Sequence, residues 1–189
     1  MQRSLVGSEM CIRDRFNNEG TGFGSTITMR DVITNYIYPN TLAVIKVSGV
    51  DLRAALEQSA SYLAVEKGKV VFNPAFIKPK PQYYNYDMYE GIDYTIDMNQ
   101  PVGQRITHLT FQNQAILPEQ ELEIVTNHYR AIGGGNYEMF GAEKIVREIQ
   151  VDMTELIADY LKQHPIIQAK TNQNLSLIHI SEPTRLRCI

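Results

Sequence analysis

Cysteine is almost absent from the chain: Cys11 and Cys188 are its two cysteines and lie at opposite ends of 189 residues. This spacing excludes a disulfide-rich scaffold and a zinc ribbon. No run of about 18 apolar residues occurs, so no segment is predicted to span a membrane. Acidic residues outnumber basic ones by 21 to 18. That balance argues against a nucleic-acid polymer as partner, because phosphate neutralisation requires clustered lysine and arginine.

The remaining composition, 43 % apolar and 21 % charged residues, is typical of one folded domain. The two ends stand apart from it. One legal codon set for residues 5–14 has a reverse complement that, in a shifted frame, encodes residues 175–184, and this DNA resembles a transposase adapter used in sequencing libraries. We therefore predict that residues 1–15 and 175–189 are translated adapter without packed contacts, and that residues 16–174 are the domain. The alternative is a genuine N-terminal arm and C-terminal tail.

Within residues 16–174, helical and strand patterns are interleaved. Thr28 and Asp31 predict the capped start of a helix. Residues 42–47 predict a strand that is buried on both faces. A second helix is predicted from about Asp51 to Gly68. Residues 72–90 are predicted to be irregular. Further strands are predicted near residues 94–98, 105–111, 122–127 and 145–149, with a final helix capped by Asp152. Several turns are too short for a crossover helix, so the pattern favours an α+β fold with a mixed or antiparallel sheet packed with helices.

No pattern typical of a metal site, a P-loop or a nucleophile elbow occurs in residues 16–174, where the three histidines are widely separated. Two other segments are candidates for ligand binding. Residues 127–137 join an aromatic residue and an arginine to three glycines, whose backbone can approach an anion or a flat ring. Residues 36–42 hold Tyr38 and Asn40 around a proline, and a ring held in this way can stack on a nucleobase.

Each candidate also has a purely structural interpretation. The glycine run can be a tight turn required by packing, and Tyr38 can be a core tyrosine at a helix end. The tyrosine-rich residues 83–89 can line a site or pack only on themselves.

Four segments, at residues 36–42, 84–97, 101–106 and 127–135, occur in the order seen in one family. The chain resembles the C-terminal domain of the 5′-nucleotidases, and within that family the branch that hydrolyses 2′,3′-cyclic nucleotides and 3′-nucleotides. The resemblance implies that this domain binds the nucleoside while a metallophosphatase domain N-terminal to it carries two divalent metal ions. The substrate-binding residues that it implies are Tyr38, Asn40, Tyr129, Gly133 and Gly134. Further candidates for substrate contact are Asn17, Arg130, Gly135 and Tyr84.

Two positions depart from the family pattern. The aspartate that binds the ribose hydroxyls in GGDG is replaced here by Gly135, and the substrate-binding arginine has no counterpart in residues 16–22. A carboxylate would repel a phosphate on the ribose, so the first departure favours the cyclic and 3′-nucleotide branch. The expected protein is therefore an extracytoplasmic phosphohydrolase of nucleotide catabolism, of which this chain binds substrate but lacks metal and catalytic residues. The alternative is a stand-alone nucleoside-binding module at the cell surface.

Overall fold

The computed structural model describes residues 10–13, 22–180 and 182–184. The helices are α1 (Met29–Asn35), α2 (Gly49–Ser61), α3 (His128–Ala131) and α4 (Met153–Gln163). The strands are β1 (Met10–Arg13), β2 (Thr41–Ser48), β3 (Leu63–Glu66), β4 (Lys69–Phe72), β5 (Met88–Glu90), β6 (Ile92–Asp97), β7 (Ile106–Phe111), β8 (Gln114–Ala115), β9 (Glu121–Asn127), β10 (Ile145–Asp152), β11 (Leu175–Ile180) and β12 (Glu182–Thr184). Among the described residues, no helix is long and apolar enough to cross a membrane.

Two five-stranded sheets and a hairpin form the fold. The first sheet has the order β10-β2-β9-β1-β5 and the second β12-β11-β6-β7-β8, while β3 pairs with β4. Helices and mixed sheets together confirm the predicted α+β class. The strand predicted over residues 42–47 is β2, the central partner of β10 and β9, and Val44 and Ile45 on its two faces are both buried. A strand buried on both faces has to be apolar along most of its length, which is the pattern that predicted it.

The helix starts follow the predicted caps. Thr28 and Asp31 form a reciprocal capping box at α1, and Ser48 with Asp51 forms a second one at α2. The predicted end of the second helix at Gly68 is wrong, because α2 ends at Ser61 and a hairpin follows. Its strands β3 and β4 are rich in valine, and Gly68, with φ +72°, makes the turn between them.

One hydrophobic cluster joins α2 to both sheets. Glu57 on α2 accepts hydrogen bonds from the backbone N–H groups of Arg105 and Ile106, at 3.0 and 2.7 Å. In return, the Arg105 guanidinium donates to the carbonyls of Ala60 and Leu63 at 2.8 Å each. These contacts satisfy carbonyl groups at the end of α2 and fix the helix against β7.

Among the described residues, the two parallel strand pairs each contain a strand from near one end of the sequence, β1 or β11. β1 runs parallel to β9, and β11 runs parallel to β6. Leu175 and Leu177 are buried, with 6 % and 2 % of their surfaces exposed, so the expectation that residues 175–180 make no packed contacts is wrong. Without β11, the edge of β6 that faces away from β7 would leave its N–H and C=O groups unpaired, and the alternating apolar residues of β11 suit that edge.

The adapter origin of the ends concerns the coding DNA and stays a prediction. The expectation for residues 1–9, 14–15, 181 and 185–189 lies outside the described residues, whereas residues 10–13 form β1 and pair with β5 and β9, contrary to it.

Candidate functional site

The register between β2 and β9 brings the two candidate segments to one end of the first sheet. These strands are antiparallel, and Leu42 at the start of β2 pairs with Asn127 at the end of β9. Tyr38 precedes β2 by three residues and Tyr129 follows β9 by two. The two tyrosines therefore leave the sheet at the same end, although they are 91 positions apart in the sequence.

The segment that carries Tyr38 is anchored through Asn40. The Asn40 backbone N–H donates to the Asp152 carboxylate at 3.2 Å, and the Asn40 carbonyl accepts from Met153 N–H at 2.9 Å. Hydrogen bonds from Thr154 and Asn40 hold the pKa of Asp152 below its usual value, the Thr154 hydroxyl having the largest effect. The Tyr38 side chain is 62 % exposed. The backbone of this loop is thus held in place while the tyrosine ring faces solvent.

Tyr129 lies on the single turn α3. The Asn127 side chain caps this turn by accepting from Arg130 N–H at 2.8 Å. Gly134 N–H donates to the Tyr129 carbonyl at 2.9 Å, and the Tyr129 ring packs so closely on Gly134 that a Cβ there would lie 2.6 Å from ring atoms. Tyr129 as a whole is nevertheless 46 % exposed. Residues 133–135, which we call the glycine turn, therefore support one edge of an aromatic surface that remains open to a ligand.

Gly133 and Gly135 adopt left-handed backbone conformations, with φ of +88° and +74°. A Cβ on Gly135 would lie 2.3 Å from Arg130 Nη1 and 2.4 Å from Asn85 Oδ1. The position where the related pattern has an aspartate is thus filled by neighbouring side chains, and a carboxylate would displace them. This steric requirement for glycine is not visible in the sequence.

Arg130, a candidate for substrate contact, points into the protein. Its side chain is 1 % exposed and its Nε lies 2.8 Å from Asp87 Oδ2. The guanidinium also lies 4.0 Å from the centroid of the Tyr137 ring. Arg130 therefore lies beneath the exposed surface of Tyr129, and contact with a ligand would require the ion pair to open.

The tyrosine-rich loop reaches the glycine turn through Asn85 and Asp87. Tyr84 is half-buried on the 3₁₀ turn Tyr83–Asn85, and the Asn85 carbonyl accepts from the Tyr137 hydroxyl at 3.1 Å. The sequence motifs predicted neither the contact of Asp87 with Arg130 nor the role of Asp152 in holding the loop. A lone aspartate within the aromatic residues 83–89 was the available signal, since a buried carboxylate requires a partner. Asn17 lies outside the described residues.

An open depression of about 530 Å³ lies beside α3, between His128 and the strand residues Arg147 and Glu148. His128 Nδ1 is 3.8 Å from Glu148 Oε1, and the two side chains are 41 % and 44 % exposed. Over the described ranges, no group of three or more histidine, cysteine, aspartate or glutamate side chains could hold a metal ion. The site that the structure describes is thus an aromatic and backbone surface without a metal-ligating set.

Comparison with known proteins gives a consistent assignment. The family model described as 5′-nucleotidase, C-terminal domain, matches residues 6–142. The trifunctional nucleotide phosphoesterase protein YfkN of Bacillus subtilis is 27 % identical over 167 residues, which cover 82 % of this chain and 11 % of YfkN. The 2′,3′-cyclic-nucleotide 2′-phosphodiesterase/3′-nucleotidase of Yersinia enterocolitica is 30 % identical over 85 % of this chain and 28 % of its own length.

A solved Staphylococcus aureus structure in complex with α-ketoglutarate, described as a 5′-nucleotidase, superposes with a TM-score of 0.86. It is 35 % identical over 93 % of this chain and 34 % of its own. The chain thus spans from about a tenth to a third of these relatives. Together with the mixed sheets and the paired tyrosine segments, the family match shows that the chain belongs to the 5′-nucleotidase family, as its C-terminal domain.

Proposed function

We propose that this chain is the substrate-binding domain of a metal-dependent nucleotide phosphohydrolase and holds a nucleoside base between Tyr38 and Tyr129. The observation that carries the proposal is the β2–β9 register, which brings two solvent-facing tyrosines on separate anchored segments to one end of a sheet. Aromatic rings on both faces of a base contribute about 1–3 kcal/mol per stacked base. We expect the two rings to lie roughly parallel and about 7 Å apart when a base is bound between them.

Asn40 supplies a polar partner for that base. Its side-chain amide offers one acceptor and two donors, and its backbone is held by Asp152 and Met153. Gly134 brings its backbone close to Tyr129, where a side chain would clash with the ring, and Gly133 packs against the backbone of Tyr137 and Phe140. The proposed contacts therefore combine two rings, one amide and the glycine turn.

Gly135 supports a preference for 2′,3′-cyclic nucleotides and 3′-nucleotides. A carboxylate at this position would repel a phosphate carried on the ribose, and here the space is occupied by Arg130 and Asn85. Three curated relatives bear the name 2′,3′-cyclic-nucleotide 2′-phosphodiesterase/3′-nucleotidase. We include simple 5′-monophosphates as a second substrate class, because the solved relatives include 5′-nucleotidases.

Under this proposal, a second domain carries out the hydrolysis of the phosphate ester. Two divalent metal ions in a metallophosphatase domain of the same protein would activate the attacking water, whereas the present residues bind and orient the nucleoside. We expect the 189-residue chain to hydrolyse neither 2′,3′-cyclic AMP nor 3′-AMP in the presence of Mn²⁺. We place the whole enzyme outside the cytoplasm, as the resemblance implies.

Calorimetric titration of the chain with adenosine tests the binding role. Tyr38→Ala and Tyr129→Ala should each weaken binding by about 1–3 kcal/mol, because each removes one stacked face. Tyr129→Phe is the matched control, since it keeps the ring and should bind adenosine like the parent chain. Adenosine binding that is absent, or that is insensitive to both alanine substitutions, would overturn the proposed site.

Hydrolysis of 2′,3′-cyclic AMP to the nucleoside monophosphate distinguishes the stand-alone alternative. A longer protein that joins this chain to a metallophosphatase domain should hydrolyse the cyclic nucleotide, and Tyr129→Ala should reduce that turnover more than turnover of nitrophenyl phosphate. Equal losses for both substrates would point to misfolding and would make Tyr129 a structural residue.

A further inference from the structure

We propose that Arg130 is a positioning residue that sets the orientation of the Tyr129 ring through the glycine turn. This inference rests on the proposed function and deepens it, because it names the buried group that prepares one face of the base site. Three contacts link the buried ion pair to the ring: Asp87 to Arg130, Arg130 to Gly134, and Gly134 to Tyr129.

The first contact fixes the guanidinium. Arg130 Nη2 donates to Asp87 Oδ1 at 2.9 Å, and Nε lies 2.8 Å from Oδ2 as part of the same ion pair. Both residues are about 1 % exposed. A hydrogen-bonded ion pair that is shielded from water restrains the position of the guanidinium.

The second contact transfers that orientation to the turn. Arg130 Nη1, the nitrogen that does not face Asp87, donates to the Gly134 carbonyl. Gly134 is flanked by Gly133 and Gly135, both in left-handed conformations. Glycine-rich backbone is intrinsically free to adopt many conformations, so a hydrogen bond from a fixed donor has a large effect on its order.

The third contact brings the turn against the ring. The hydrogen-bonded Gly134 N–H and the Tyr129 carbonyl lie 2.9 Å apart, and the Gly134 α-carbon faces ring atoms of Tyr129. Arg130 Cζ lies 5.8 Å from the centroid of that ring, within the range of a cation–π contact. One guanidinium therefore supports the tyrosine both through the turn and directly.

The same guanidinium is held from its other side. It lies 4.0 Å from the Tyr137 ring centroid, and the Tyr137 hydroxyl lies 2.8 Å from Ser59 Oγ on α2. Tyr137 and Ser59 therefore connect Arg130 to the core helix α2. A lysine has neither the several planar N–H donors of a guanidinium nor its ability to stack on the Tyr137 ring.

A double-mutant cycle on adenosine binding tests this role. Arg130→Met combined with Asp87→Leu removes both charges together, so no buried charge is left unpaired, and such replacements are often tolerated by the fold. We expect the dissociation constant for adenosine to rise between about fivefold and a hundredfold, approaching that of Tyr129→Ala. Adding Tyr129→Ala to the double variant should then weaken binding much less than it does in the parent chain, since residues that act through one another are not additive.

Arg130→Lys provides a second variant for the same cycle, and circular dichroism with the melting temperature reports folding for each protein. Additive losses would overturn the positioning role and leave Arg130 as a general structural residue. A folded double variant that binds adenosine like the parent chain would overturn it as well. If the parent chain binds no adenosine, or Tyr129→Ala has no effect, the proposed function itself fails and the inference fails with it.

Discussion

The carboxylate of Asp152 accepts a hydrogen bond from the backbone N–H of Asn40 across 112 sequence positions, at 3.2 Å. Its other oxygen accepts from Thr154 N–H at 2.8 Å and so caps α4. One side chain therefore begins a helix and holds the loop between α1 and β2. This double use couples the start of α4 to the segment that carries Tyr38.

Substitutions at Asp152 can separate these two roles. Asp152→Asn keeps an oxygen for the helix cap but loses the second acceptor, so adenosine affinity should fall while the melting temperature changes little. Asp152→Ala should also lower the free energy of unfolding by about 0.5–2 kcal/mol, because the cap is lost. Calorimetric titration and thermal melts on both variants measure the two effects. Parent-like adenosine binding by Asp152→Asn would show that the loop does not depend on this bond.

Acid should destabilise the protein through aspartates with lowered pKa values. The pKa values of Asp31, Asp97 and Asp152 are held down by hydrogen bonds, chiefly from the Thr28 side chain, the Asn99 backbone and the Thr154 side chain respectively. Burial raises the pKa of Asp51, but hydrogen bonds from Lys144 and Ser48 outweigh it and the pKa is lowered.

The direction in which stability changes with pH follows from the difference in pKa between the folded and unfolded states. A carboxyl whose pKa is lower in the folded state contributes stability above its unfolded value of about 3.9, and that contribution disappears as the pH falls through the folded value. Urea unfolding midpoints should therefore decrease steadily below about pH 4 and change little from this source between pH 5 and 7. Asp152→Asn should show a shallower decrease, and an unchanged slope in that variant would contradict the assignment.

Gly134→Ala tests the contact between the glycine turn and Tyr129. The added Cβ would lie 2.5 Å from the Tyr129 carbonyl oxygen and 2.6 Å from its ring, so the ring or the turn has to move. Adenosine binding should weaken, and unfolding should become easier by about 1–3 kcal/mol. Gly24→Ala is the control, because no atom lies within 4 Å of a Cβ built there. Equal melting temperatures and affinities for the two variants would rule out the contact.

Gly135→Asp addresses the departure from the family pattern. From the sequence, the carboxylate is expected to favour 5′-monophosphates, whereas the structure places it against Arg130 and Asn85. We therefore expect a loss of stability before any change in preference. Gly68→Asp is a matched control, since its φ of +72° is nearly the +74° of Gly135 but its surroundings are open. A lower melting temperature for Gly135→Asp than for Gly68→Asp measures the steric part separately from the backbone strain.

Leu177→Ala tests whether β11 belongs to the folded unit. Leu177 is 2 % exposed beside β6, and truncation of such a core leucine costs about 2–5 kcal/mol. Leu117→Ala serves as control because that side chain is 62 % exposed, and its effect should stay within about 0.5 kcal/mol. Chemical denaturation measures the free energy of unfolding of both variants. A silent Leu177→Ala would show that packing of β11 on β6 does not stabilise the domain.

Local signals in the sequence predicted most of the elements. The capping residues Thr28 and Asp31 placed the start of α1, and the apolar run before Gly49 predicted β2. These signals are reliable because caps and strand faces depend on neighbouring residues. Where the prediction failed, at the end of α2, a valine-rich hairpin replaced a continued helix, since cross-strand pairing between β3 and β4 is decided by residues up to nine positions apart.

The features of the candidate site likewise fall into those that the local sequence predicted and those that depend on tertiary contacts. The sequence by itself determined which residues could meet a nucleoside, because an aromatic ring on a proline-pinned loop and a glycine run are local chemistry. Only the tertiary structure decided that Arg130 turns inward to Asp87, that Asp152 holds Asn40, and that Gly135 has no room for a side chain. These outcomes depend on contacts between residues 5 to 112 positions apart, where burial and the pairing of charges outweigh any preference written in the local sequence.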